Sequence, residues 1–167
     1  MGSKPQGCIL CEKIREARDR ENLVVYRGQR GFICLNLYPY SNGHLMISPY
    51  EHVGSIEFLD EAAQLDLMRL VTLGMRLLRQ VMNPAGFNVG VNIGKAAGAG
   101  VDDHVHIHVV PRWEGDTNFM PVVGDTRVIP ELLEATRDKL VAAIPAVLGA
   151  EPAAASAVGV GPRSVGG

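Results

Sequence analysis

The sequence is short of cysteine. Its 167 residues hold three, Cys8, Cys11 and Cys34. That odd, sparse set suits a reducing compartment better than secretion and argues against a disulfide framework. No apolar run approaches the roughly 18 residues of a membrane span, so no membrane partner is expected. The opening residues, MGSKPQGCILCEK, lack the apolar core of a secretory signal. The expectation is therefore a soluble, cytoplasmic protein. Positive charge is not in excess either: 16 Lys+Arg stand against 18 Asp+Glu, a net charge of −2. This removes the footprint of a non-specific nucleic-acid binder.

What is present is apolar material, 47% of all residues, too much for a mostly disordered chain and enough for a core without staples. The length fits one domain. From Gly149 the chain reads GAEPAAASAVGVGPRSVGG, poor in large side chains, so residues 149–167 are expected to be a flexible low-complexity tail behind a domain of residues 1–148.

Along that domain the pattern predicts a charged, helical stretch in Cys8–Arg20 and strands at Leu23–Tyr26, Gly31–Leu35 and His44–Ser48, joined by turn-prone residues. Between 57 and 82 the period changes. Leu59, Ala62, Leu65, Met68, Val71, Met75, Leu78 and Met82 recur at three and four, as on an amphipathic helix that Asp60 or Ser55 would cap and Asn83-Pro84 would stop. Strands follow at Gly86–Asn92 and His104–Val110, separated by a Gly/Ala loop at 94–100. A C-terminal helix is expected over Ile129–Leu148, interrupted near Pro145. Strands, one long helix, more strands and a final helix make an α+β fold on a mostly antiparallel sheet.

Five histidines are an ordinary count for this length, but three crowd into His104-Val-His106-Ile-His108. In a strand alternate side chains share a face, which lines the three rings up about 6.6 Å apart, with Val105, Ile107 and Val109 turned into a core. A column of identical titratable rings is a poor choice for solvation, because charging one raises the cost of charging the next. Rings so spaced on one strand also do not converge readily on a single metal ion. Chemistry is the better reading: neutral imidazole attacks phosphorus without a separate base, and a covalent intermediate splits one displacement into two. Cys8-x-x-Cys11 is half a zinc site, with a redox pair or chance as alternatives. Cys34, on an apolar strand, reads as a buried small hydrophobe. Trp113 either stacks on a base or lies in a subunit interface.

His104-Val-His-Ile-His-Val-Val resembles the signature of the histidine triad (HIT) nucleotide hydrolases and transferases. The resemblance extends over about residues 8–140, through Asn36-Leu-Tyr-Pro-Tyr, Gly43-His44, Pro49 and the 92–100 loop. Asn92–Gly100, Pro111–Met120 and Thr126–Pro130 look most like the bacterial branch related to diadenosine tetraphosphate phosphorylases. The resemblance implies a HIT-like fold and a homodimer. It makes His106 the nucleophile that becomes nucleotidylated, His108 a phosphate contact or aid to the leaving group, and His44 a residue that orients the nucleophile. Asn36 would hold the ribose and Asn92 a phosphate, against the plainer reading of both as turn or strand-end residues. Amides of Gly98, Ala99 and Gly100 would cradle phosphate oxygens, as Gly-rich turns do. Cys8, Cys11, His52 and His104 would bind a structural zinc, and a divalent cation would arrive with the substrate. Many dinucleotide hydrolases of the family carry Gln where this chain has Gly100. The space so left would admit inorganic phosphate as acceptor. The implied activity is cleavage of a dinucleoside polyphosphate. The alternatives are a phosphoramidase acting on AMP–amine conjugates and a nucleotide-binding sensor or interaction module.

Overall fold

Short turns and alternating apolar residues build a five-stranded antiparallel sheet. The computed structural model describes residues 7–98, 100–101, 103–116 and 131–150. Helix α1 (Ile9–Arg15) is followed by strands β1 (Val24–Arg27), β2 (Gly31–Leu35) and β3 (Leu45–Pro49). Helix α2 (Glu61–Met82) then crosses to β4 (Gly86–Val91), β5 (Ile107–Arg112) and helix α3 (Leu133–Gly149). The strand order is β1-β2-β3-β5-β4, so β5 inserts between β3 and β4 and leaves β4 at an edge. The α+β expectation holds. Ala99, the Thr126–Pro130 segment with the expected start of the last helix, and the tail beyond Ala150 lie outside the described residues.

Alternation divides the sheet into two faces. Ile33, Leu35, Leu45, Ile47, Ile107 and Val109 join Val105 in one buried cluster against Leu67, Leu70, Val71, Leu77 and Leu78 of α2. The other face carries Val24, Phe32, Cys34 and Met46 under Leu10 of α1. Cys34 is fully buried among them, and burial pushes its thiol up to about 12. Helix α2 starts later than the periodicity predicts, because residues 56–58 form a separate single turn. Asp60 caps α2 by accepting the Ala63 N–H at 2.7 Å, and Asn83 ends it in the left-handed conformation at φ 46°. Its buried residues are Ala63, Leu67, Leu70, Val71, Leu73, Gly74, Leu77 and Leu78, so Val71 and Leu78 of the expected stripe face the core while Leu65 and Met68 are exposed. Steps of three alone drift about 60° per step around a helix, so the 62–65–68 part of the series lies off the core side and reaches it only at Val71. The last helix runs unbroken through Pro145, contrary to the expected interruption.

The histidine strand also differs from expectation. Pairing begins at Ile107, not His104. Ahead of it the backbone turns aside: Val105 N–H donates to Val53 O at 2.7 Å, and the buried Ser48 hydroxyl donates to Val105 O at 3.1 Å. The three rings consequently do not form an even column. Gly43 sets the opposite wall. Its φ is +79°, and a Cβ there would lie 2.7 Å from Met82 Sδ and 2.9 Å from Leu78 Cδ2, so only glycine brings His44 in at this depth.

Candidate active site and its metal-binding neighbour

Parity of the strands decides which side chains meet. Met46 pairs with His108 across β3 and β5, and His44 lies two residues before Met46, so His44 and His108 project from the same face. His44 Nε2 and His108 Nδ1 are 2.9 Å apart. On its other side, His44 Nδ1 faces two donors, the Tyr40 N–H at 3.2 Å and the Asn36 Nδ2 at 3.4 Å. Two donors on Nδ1 require it to be the acceptor. Nε2 then carries the hydrogen and donates to His108 Nδ1, and His108 must keep its own hydrogen on Nε2. The Tyr40 ring stacks on His44, with centroids 5.1 Å apart and planes 18° apart.

His106 is oriented separately. Its Nδ1–H donates to His104 O at 3.0 Å, which leaves the Nε2 lone pair as the reactive position. The His106 and His108 rings meet edge to face with centroids 4.8 Å apart. The His106 Nε2 position and an N–H donor of His108 therefore sit side by side. Burial, followed by the charges that His108 and His106 would carry, pushes His44 down to about 4. His108 is likewise lowered, first by burial and then by His106.

His104 turns away from this pair. Fully buried, it donates Nε2–H to Pro49 O at 3.0 Å and points Nδ1 at Cys8 Sγ (3.2 Å) and Cys11 Sγ (3.5 Å). His52 Nδ1 lies 3.3 Å from Cys11 Sγ. The four donor atoms are all within 4.8 Å of one another. A tetrahedral Cys₂His₂ zinc site has S···N separations of about 3.6 Å, from bonds near 2.3 and 2.1 Å, and the donor set fits that geometry. Both rings also have the outer partner such ligands use, Pro49 O for His104 and Asp103 at 3.5 Å from His52 Nε2. Helix α1 places Cys8 at its cap and Cys11 on its first turn, so the two thiols share one side.

Asn36 Oδ1 accepts the Tyr38 N–H at 3.0 Å, a local turn bond, while its amide lies against His44. Asn92 lines a groove beside His108. The Gly98 N–H is engaged by Lys95 O at 3.0 Å, and Gly100 is exposed nearby in sequence. Trp113 is half-buried beyond β5, its N–H donating to Asp116 at 3.1 Å. Sequence reasoning missed the roles of Tyr40, Ser48 and Pro49. Tyr40 and Pro49 act here through backbone groups that every position offers, so no residue type announces them.

The HIT domain model matches residues 17–115. The chain belongs to the HIT family. Over 125 residues it is 46% identical to a Mycobacterium tuberculosis protein named AP-4-A phosphorylase, a match covering 75% of this chain and 64% of that relative. The chain thus spans just under two thirds of that relative's length. A histidine triad nucleotide-binding protein from Sulfolobus tokodaii superposes with a TM-score of 0.68 at 26% identity, covering 84% of this chain and 93% of that one. A zinc-bound histidine triad family protein from Mycobacterium smegmatis gives 0.69 at 23% identity, covering 87% and 98%. These likenesses establish a HIT fold.

The depressed value of His44 makes a stability prediction. Between about pH 6.5 and 4 the unfolded chain takes a proton that the folded ring refuses, so stability falls as pH drops through that window. The loss is on the order of 3 kcal/mol. The melting temperature of His44→Gln should therefore decline less between pH 7 and 5 than that of the wild type. Equal slopes would contradict the assignment.

Proposed function

We propose that this protein cleaves dinucleoside polyphosphates of the diadenosine tetraphosphate type by nucleotidyl transfer through His106. The observation that carries the reading is the pairing of a free His106 Nε2 with His108, whose remaining hydrogen is on Nε2. His106 Nε2 attacks the phosphorus of the adenylyl group. As the P–N bond forms, the P–O bond to the departing polyphosphate breaks and its electron pair stays on that oxygen, which leaves as a phosphate anion accepting a hydrogen bond from the His108 Nε2–H. His44 keeps that hydrogen on His108 Nε2 by donating to Nδ1 across 2.9 Å. Asn36 holds the ribose; Asn92 with the amides of Ala99 and Gly100 binds phosphate oxygens. The Gly98 amide, closed onto Lys95 O, has a smaller part in that cradle than its sequence position implies.

In the second half-reaction the acceptor is inorganic phosphate, which the small Gly100 admits close to the adenylyl group. The similarity to AP-4-A phosphorylase supports this order of events. The products are then ADP and ATP; hydrolysis would give AMP and ATP. With diadenosine tetraphosphate, added phosphate should raise turnover and shift the product from AMP to ADP, and His106→Ala should remove both reactions. Phosphate-independent formation of AMP plus ATP would sink phosphorolysis. Adenosine phosphoramidate cleavage through the same histidine is the second reading, because His106 Nε2 is equally placed to attack the adenylyl phosphorus of either compound.

Cys8, Cys11, His52 and His104 hold zinc in this reading. Bound zinc has no vacant position in a Cys₂His₂ set and supplies structure rather than Lewis-acid chemistry. It fixes α1 to the segment that bears His106. Purified protein should contain close to one zinc per chain, and Cys11→Ser should lose it and melt at a lower temperature; less than half an equivalent in the wild type would count against the site. The outer edge of β4, unpaired among the described residues and with Val89 and Ile93 exposed beside it, supports the homodimer expected of the family.

A further inference from the structure

A groove of about 340 Å³ opens beside His108 on its β4 side, lined by Tyr40, Asn88, Gly90, Asn92 and Arg112. Of these, Asn92 has a phosphate role in the reaction proposed above and Tyr40 orients His44; Asn88, Gly90 and Arg112 have none. We propose that this groove is the leaving-group subsite, which binds the nucleoside polyphosphate displaced when His106 is nucleotidylated. The inference rests on that proposed reaction and adds the location and chemistry of its second substrate half.

Register places the lining residues. Gly90 pairs with His108, Asn88 with Val110 and Gly86 with Arg112, and directly opposed residues of antiparallel strands share a face. The groove therefore runs along β4 and β5 from His108 to Arg112. Four residues of strand make it roughly 13 Å long. A leaving chain must start at His108, because Nδ1 of that ring is occupied by His44 and only Nε2–H can reach the departing oxygen. It must also lead away from His106, since the bond being broken lies opposite the bond being formed. The groove satisfies both conditions.

Its chemistry suits a polyphosphate ending in a nucleoside. Beside His108 the floor is Gly90, where an added Cβ would meet nothing within 4 Å, so the space next to the N–H donor is open. Asn88 and Asn92 offer amides to phosphate oxygens. At the far end the Arg112 guanidinium is held in one plane, Nε and Nη2 on the Asp116 carboxylate at 2.6 and 2.7 Å and Nη1 on Asn88 Oδ1 at 2.9 Å. A guanidinium so held is a planar group of the kind on which a purine stacks. Three phosphates and a ribose bridge the distance between the two ends.

Gly90→Leu tests the assignment by filling the groove from its open side. Diadenosine tetraphosphate leaves behind a nucleoside triphosphate, whereas adenosine 5′-phosphoramidate loses only ammonia. The ratio of kcat/KM for the first to that for the second should fall about tenfold or more. In the His106→Ala background, the affinity for diadenosine tetraphosphate relative to AMP should fall in the same direction on adding Gly90→Leu. Arg112→Gln, at the other end of the groove, should move both ratios likewise and decides the matter should Gly90→Leu not fold. An unchanged turnover ratio in an enzyme that cleaves both compounds overturns the subsite and leaves the reaction standing. Wild-type protein that cleaves neither removes the reaction, and an unchanged affinity ratio then overturns the subsite on its own.

Discussion

His104 is the residue on which the site depends, because it faces two ways. Its ring sits between Cys8 and Cys11 and donates to Pro49 O, while its carbonyl receives the Nδ1–H of His106. The first set of contacts fixes where the backbone of residue 104 lies, and the second uses that position to set the tautomer of His106. A ring two residues away along the chain is thus held by a group that performs no chemistry itself. Buried hydrogen bonds of this kind are costly to leave unmade, so displacement of His104 would disturb His106 before it disturbed the sheet.

The fold supplies the frame for this arrangement by keeping its two faces distinct. Ile107 and Val109 are packed beneath α2 with Ile33, Leu45 and Ile47, and that packing leaves His108 no direction but the opposite one. His44 reaches it because Gly43 permits a close approach to Leu78 and Met82. The resulting chain, from the Tyr40 N–H through His44 to His108, assigns each ring a single hydrogen position without any ionised group. In the proposed reaction, a protein with net charge −2 meets phosphate through neutral imidazoles and amides rather than through overall positive charge.

The sheet, the long helix and the histidine cluster were legible in the sequence because their signals are periodic. The apolar run Gly31–Leu35, the alternation in Ile107–Val109 and the turn residues between strands report directly on burial. The stripe of α2 was misjudged at Ala62, Leu65 and Met68, where steps of three match a helical pattern yet stay off the core side until Val71. The even column of three rings was misjudged for another reason. Where β5 begins to pair depends on Val53 O and Ser48, contacts distant in sequence that alternation does not encode. Backbone groups were illegible throughout: Pro49 O, His104 O and the Tyr40 N–H orient three rings, and no residue type marks them.

The central claim is that backbone orientation of His106 leaves Nε2 as the one nucleophilic nitrogen of the site. Mass spectrometry of enzyme quenched within milliseconds of mixing with diadenosine tetraphosphate, in the absence of phosphate, tests it most directly. The account predicts an adenylyl group on the peptide bearing His106, with nitrogen-15 NMR placing the bond at Nε2. An adduct on His108, a bond at Nδ1 of His106, or steady turnover with no adduct at all would contradict it.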